Sequence, residues 1–164
     1  IKELIIHPRI QTDFYKNHPN MDAFREALHA SKAPVCYNGD LFDAGRVNAY
    51  AAEFPQVETV MLGRGLIANP NLVEKLCFQR GMDAQTLRAF HDRLYGEYQK
   101  ALPGARAVLF RMKELWFYMG CLFADSDKQM KKLKKAERLG DYELAVAGLF
   151  RECPWKEDGS FRPM

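Results

Sequence analysis

The sequence predicts an α/β fold in which parallel β/α units are followed by an all-α helical bundle. Residues 1–80 alternate short apolar runs with amphipathic stretches, the pattern of strands with helices laid on them. From about Gly81 the strand-like runs stop and only helix-period patterns continue. The three apolar runs end on His7-Pro8-Arg9, Asn38-Gly39-Asp40 and Gly63-Arg64-Gly65. In a parallel sheet such turns gather along one edge, where ligands bind.

The elements follow in chain order. Leu4-Ile6 reads as a first strand, and Met21 to Ala30 as a helix with Phe24, Ala27 and Leu28 on one face and Asn20 as its cap. Val35-Tyr37 is the second strand. After Asp43, a second N-cap, Val47, Tyr50, Ala51 and Phe54 recur at helical spacing. Val60-Leu62 is the third strand, and Asn69-Pro70 opens a helix with Pro at its first position and Val73, Leu76 and Cys77 inward. Asp83 caps a long helix carrying Leu87, Phe90, Leu94, Tyr98 and Ala101 on one stripe, ended by Pro103-Gly104. A second long helix runs through Leu109, Met112, Trp116 and Met119. A third spans about Asp127 to Leu139 and stops at Gly140, and a fourth runs from Asp141 to Cys153-Pro154. The division expected is therefore 1–80 for the β/α units, 81–155 for the bundle, and 156–164 for a polar, frayed tail.

The totals narrow the function classes. At 164 residues, 48% apolar and 27% charged, the chain has the balance of a folded globular domain. No apolar stretch approaches the roughly 18 residues of a membrane span and the start lacks a signal peptide's shape, so a soluble, cytoplasmic protein is expected. Cys36, Cys77, Cys121 and Cys153 are widely spaced with no C-x-x-C pair, which predicts buried, reduced thiols and no metal site. Residues 1–80 hold nine basic and nine acidic side chains, and residues 81–164 hold fifteen and twelve. Any polyanion partner must therefore be argued from clustering. Because Ile1 opens the chain and a strand-like run is under way by Leu4, a segment upstream is expected.

The strand ends suggest anion chemistry. Glycine lets backbone N–H groups approach an anion, a following helix start adds partial positive charge, and Arg64 can pair with phosphate oxygens. His7 at a strand's end can hydrogen-bond a ring or a phosphate, although a lone histidine beside an apolar run is ordinarily structural. In the second half, Lys128 to Arg138 holds six basic residues and one acidic. Lys128, Lys131, Lys132, Lys135 and Arg138 share one helical face while Met130 and Leu133 point away, a cationic stripe suited to phosphates. Arg111 and Lys113 are weaker candidates, since Trp116, Phe117 and Tyr118 beside them read as core.

Together these motifs resemble the second half of the tRNA-dihydrouridine synthase family: H-P-R (His7 to Arg9), N-G-D (Asn38 to Asp40), M-x-G-R-G with N-P (Met61 to Pro70), then a helical region with an aromatic-basic stretch, FRMKELWFYMG. The resemblance implies the last three β/α units of a partial (β/α)8 TIM barrel that binds FMN, followed by a helical domain that grips tRNA. In such enzymes NADPH reduces the flavin, which passes hydride to a uracil ring while a cysteine supplies a proton. Carried over, Asn38, Gly39, Asp40, Gly63 and Arg64 would hold the FMN phosphate and ribityl chain, and His7 would contact the flavin. Arg111, Lys113, Lys128, Lys131, Lys132, Lys135 and Arg138 would meet RNA. The family's catalytic cysteine and its lysine belong to the barrel's first half, so no catalytic residue is expected here and the chain alone should be inactive.

Three strands are under half of a barrel that usually takes about 250 residues. An unpaired edge and an apolar face are therefore expected, covered by self-association or left partly disordered. Two alternatives share some of the motifs. An FMN ene-reductase of the old-yellow-enzyme type has a similar Gly-Arg and Asn-Pro, but little need for a lysine-rich bundle. A non-catalytic RNA-binding module would use the sheet only as scaffold.

Overall fold

The computed structural model describes residues 1–13 and 17–163. Strands β1 (Leu4–Ile6), β2 (Val35–Asn38) and β3 (Thr59–Met61) form a parallel sheet in that order, with Ile5 beside Cys36 and Cys36 beside Thr59. Helix α1 (Met21–Ala30) joins β1 to β2, and α2 (Ala44–Glu53) joins β2 to β3. Both start where local chemistry directs. The Asn20 side chain accepts from the Ala23 amide and Asp43 from that of Arg46, each satisfying an otherwise open N–H of a first turn.

The two helices cover one face of the sheet. Phe24, Val35, Tyr37, Val47, Tyr50 and Phe54 close a core there, with Tyr37 stacked on Tyr50 at 4.2 Å between centroids. Side chains alternate along a strand, so Ile5, Cys36, Thr59 and, one step on, Asn38 and Met61 share the opposite face. Leu4, Ile5 and Met61 are exposed, so the apolar exposure expected of the sheet is present.

After β3 come two short helices, α3 (Arg64–Ala68) and α4 (Leu72–Phe78). Pro70 precedes α4 and does not begin it, because α3 occupies the preceding turn and the Asn69 carboxamide accepts from the Asn71 amide. Leu72 is fully buried in place of Val73, which turns Val73 and Cys77 outward. Cys77 thus departs from the expectation of buried thiols. Cys36 is buried, Cys121 and Cys153 are half-buried, and all four are free.

Helices α5 (Ala84–Ala101), α6 (Ala105–Met119), α7 (Asp127–Lys135) and α8 (Leu139–Glu152) pack around Leu87, Met112, Trp116, Leu133, Tyr142 and Leu149. The buried stripe of α5 is Leu87, His91 and Tyr95, and Phe90 faces outward. Polar partners on α8 turn the helix this way. His91 Nε2 meets Tyr142 Oη at 2.6 Å, and Tyr95 donates to Glu143 at 2.8 Å. The Trp116 indole N–H, a donor only, occupies a Tyr142 Oη lone pair at 2.9 Å. Tyr142 then donates to His91 Nε2, and His91 Nδ1–H faces Asp92 at 2.8 Å. Burial holds the His91 pKa below its usual value, against the opposing pull of Asp92.

The third and fourth bundle helices also divide differently from expectation. α7 ends at Lys135, the Lys113 ammonium donates to the Ala136 carbonyl, and Gly140 lies inside the first turn of α8. The tail is docked. Lys156 donates its amide to the Leu122 carbonyl at 2.8 Å, Ser160 Oγ donates to Asp43 at 2.6 Å, and Phe161 is buried against Phe42, Phe117 and Tyr118. A frayed tail is expected from its polarity, but Phe161 packs among these rings and Lys75 pairs with Glu157 and Asp158, which seat it.

Two predictions follow from this packing. Phe161→Ala should lower stability by about 3 kcal/mol in urea denaturation; a loss below about 1 kcal/mol would mean the tail contributes little. Because the folded chain keeps His91 neutral, its contribution is complete above about pH 6.5 and is lost as pH falls through the depressed value. Stability should therefore drop on acidification from about pH 7 to 5, with a shallower drop in His91→Gln; identical slopes would contradict this.

Candidate functional site

The three strand ends meet at one carboxylate. Asp40 is buried, and it accepts from Arg9 Nη2 at 2.5 Å on one oxygen and from Arg64 Nη2 at 2.8 Å on the other. Arg9 follows β1, Asp40 follows β2 and Arg64 follows β3, so a single anion bridges turns far apart in sequence. The Arg9 and Asp40 side chains are 3% and 6% exposed, whereas Arg64 is 20% exposed. Of the two guanidiniums held by Asp40, that of Arg64 is the more accessible.

Local geometry explains why glycines flank this cluster. A Cβ on Gly65 would lie 2.1 Å from the Leu41 carbonyl oxygen, so only glycine lets α3 press against the loop after β2. A Cβ on Gly39 would collide with the Tyr37 ring. Burial, with the nearby Asp40 charge, pushes the Tyr37 phenol up to about 12, so it stays neutral at physiological pH. Apart from its own chain neighbours, no atom of the described residues lies within 4 Å of where a Cβ on Gly63 would stand. The Arg64 guanidinium lies 5.1 Å from the centre of the Phe42 ring, and Phe42 meets Phe161 at 5.3 Å.

His7 and Asn38 adjoin the cluster on the helix-free face of the sheet. His7 Nδ1 lies 2.6 Å from the Asn38 carbonyl oxygen. That oxygen only accepts, so Nδ1 carries the hydrogen and Nε2 remains as the outward atom. Nε2 donates only when the ring is an imidazolium, which narrows the donor role expected of His7. The Asn38 carboxamide reaches Met61 Sδ at 3.3 Å.

The structure thus brings His7, Asn38, Gly39, Asp40, Gly63 and Arg64 to one end of the sheet. It adds Arg9, which was noted only as part of a motif; the motif's third residue, with an acidic partner in the next turn, was the available signal. Asp40 holds the two arginines in place.

The basic residues of the second half separate. Lys128, Lys131, Lys132 and Lys135 lie exposed on α7 within about 100° of its circumference, opposite buried Gln129 and Leu133. Arg138 leaves that stripe, because it caps α8 beyond the break at Ala136. Arg111 pairs with Glu114 at 3.1 Å, and Lys113 is engaged at the Ala136 carbonyl. Among the described residues no cluster of His, Cys, Asp and Glu fits a metal ion, and no helix is long and apolar enough to cross a membrane.

Asp40→Asn removes the carboxylate that both guanidiniums bind and should cost about 3 kcal/mol of stability. Arg64→Ala, at a more exposed position, should cost about 1.5 kcal/mol. Chemical denaturation of both variants checks the order, and equal losses would contradict it.

Comparison with known proteins identifies the family. The family model for dihydrouridine synthase (Dus) matches residues 1–114, the sheet, its helices and the bundle as far as α6. Two relatives are each described as a probable tRNA-dihydrouridine synthase, one from Rickettsia prowazekii and one from Rickettsia typhi. Each is 27% identical over 78 residues, 48% of this chain. The match spans about a quarter of those relatives' length, 24% in both cases. With well over half its length matched by the family model, the chain belongs to the dihydrouridine synthase family.

Proposed function

We propose that this chain forms the phosphate-holding end and the RNA-holding helices of an FMN-dependent tRNA-dihydrouridine synthase that reduces uridine in tRNA at the expense of NADPH. The observation that carries this reading is the bridge from Asp40 to Arg9 and Arg64, which draws three strand ends together around two guanidiniums. What supports a phosphate at this end is the part-exposed guanidinium of Arg64, able to pair with phosphate oxygens, beside a glycine whose Cβ position meets no described atom within 4 Å apart from its chain neighbours. FMN, when bound, supplies the hydride chemistry. This chain's residues bind and orient. Arg64 meets the phosphate, Asp40 and Arg9 set the position of Arg64, and Asn38 and His7 line the helix-free face on which the ring system would rest. Residues 1–80 then form the barrel portion and 81–155 the tRNA-gripping portion, with the segment from 156 tying them together.

The sheet itself calls for more strands. β1 and β3 each have one unpaired edge within the sheet, and Leu4, Ile5 and Met61 are exposed. We infer that further strands continue it into a (β/α)8 barrel, and that the proton-donating cysteine and its lysine reside on those strands. Cys36 does not fill that role; it lies in mid-strand with its thiol toward the Tyr37 carbonyl. The exposed α7 lysines, with no ion pair among the described residues, would meet the tRNA backbone.

In the complete protein, Arg64→Ala should weaken FMN binding by about 10- to 100-fold, read from flavin fluorescence titration. It should also reduce dihydrouridine in tRNA, measured by mass spectrometry in cells relying on the variant. Unchanged flavin affinity would remove Arg64 from the site, and an unchanged dihydrouridine content of tRNA on deleting the gene would remove the activity.

A further inference from the structure

We propose that the groove between α6 and α7 stacks unpaired nucleobases of the RNA between Phe110 and Phe117, with the lysines of α7 on the flanking phosphates. The inference rests on an RNA partner, as proposed above, and adds where and how unpaired bases are held.

Sequence pattern places Phe117 in the core beside Trp116, but the structure separates them. Trp116 is fully buried, while Phe117 is 50% and Phe110 68% exposed. Seven residues apart, the two phenylalanines stand on one side of α6, about 10 Å apart along its axis. That rise equals about three base-stacking steps of 3.4 Å. Both rings line a groove of about 430 Å³ with Met130 and Leu133, and Lys113, Lys131 and Lys134 also line it. Phe110 makes no ring contact among the described residues, so a flat aromatic face is available to a partner.

Charge selects the occupant. α7 carries five lysines and one aspartate, and none of those lysines closes an ion pair among the described residues. Of the two acids lining the groove, Glu114 is already paired with Arg111. A second copy of this chain would bring lysines against lysines. A partner with negative charge on its edges and flat apolar rings between them matches the surface, and single-stranded RNA has that form. The groove also adjoins the strand-end cluster: Phe117 meets Phe161 at 5.5 Å, and Phe161 meets Phe42, the ring beneath Arg64. An RNA whose unpaired bases lie in this groove is thereby led toward Arg64.

The test uses the whole chain and a short single-stranded RNA carrying 2-aminopurine, with a duplex of equal length as control. Wild type should bind the single strand more tightly than the duplex and quench the 2-aminopurine. Phe110→Ala and Phe117→Ala should each weaken single-strand binding at least about fivefold and relieve the quenching, with the salt slope unchanged. Phe110→Trp should retain affinity, because it restores a stacking face. Lys131→Gln should instead lower the salt slope by about 0.7. Phe117→Leu, checked by circular dichroism, guards against loss of the Phe161 contact. If wild type binds RNA but both alanine variants bind equally well, the stacking inference fails while the RNA reading stands. If wild type binds neither RNA, both fail. Self-association abolished by Phe110→Ala, or an acidic peptide outcompeting RNA, would assign the groove to another occupant and overturn the proposal.

Discussion

The structure around the candidate site depends on one buried carboxylate shared between two arginines. Asp40 ties Arg9, which follows β1, to Arg64, which follows β3. A parallel sheet needs long crossovers between its strands, so its loops are separated in sequence and each is individually free to wander. A charge-assisted bond to each neighbour removes that freedom. It also fixes the more exposed guanidinium, that of Arg64, next to Gly63.

The sheet and the helical portion are joined by aromatic packing more than by charge. Phe42 and Ala68 from the β/α portion meet Phe161, which packs in turn on Phe117 and Tyr118 of α6. Apolar contacts of this kind hold a relative position without directional bonds. Ser160 adds direction by donating to Asp43, the residue that also caps α2. The helix cap, the loop after β2 and the end of the chain therefore share one support.

Sequence reasoning reached features set by near neighbours. The caps Asn20, Asp43 and Asp83 and the three strands were legible because capping and strand runs are decided within a few residues. The convergence of His7, Asn38 and Arg64 on one end of the sheet followed from parallel topology alone. What escaped depends on distant partners. α3 has five residues, too few to show a period. His91 replaced Phe90 in the bundle core because Tyr142, 51 residues away, offers its hydroxyl. Arg9 was passed over because its partner lies 31 residues on. The cationic stripe ends one turn before Arg138, at a break where Lys113 from another helix donates to the Ala136 carbonyl.

The seating of Phe161 has a consequence for biosynthesis. Chains emerge from the ribosome N-terminal end first, so the loop bearing Asp40 and Phe42 leaves the exit tunnel more than a hundred residues before the side chain that backs it. The nascent sheet can assemble early, but the loop after β2 acquires its final support only once Phe161 has emerged.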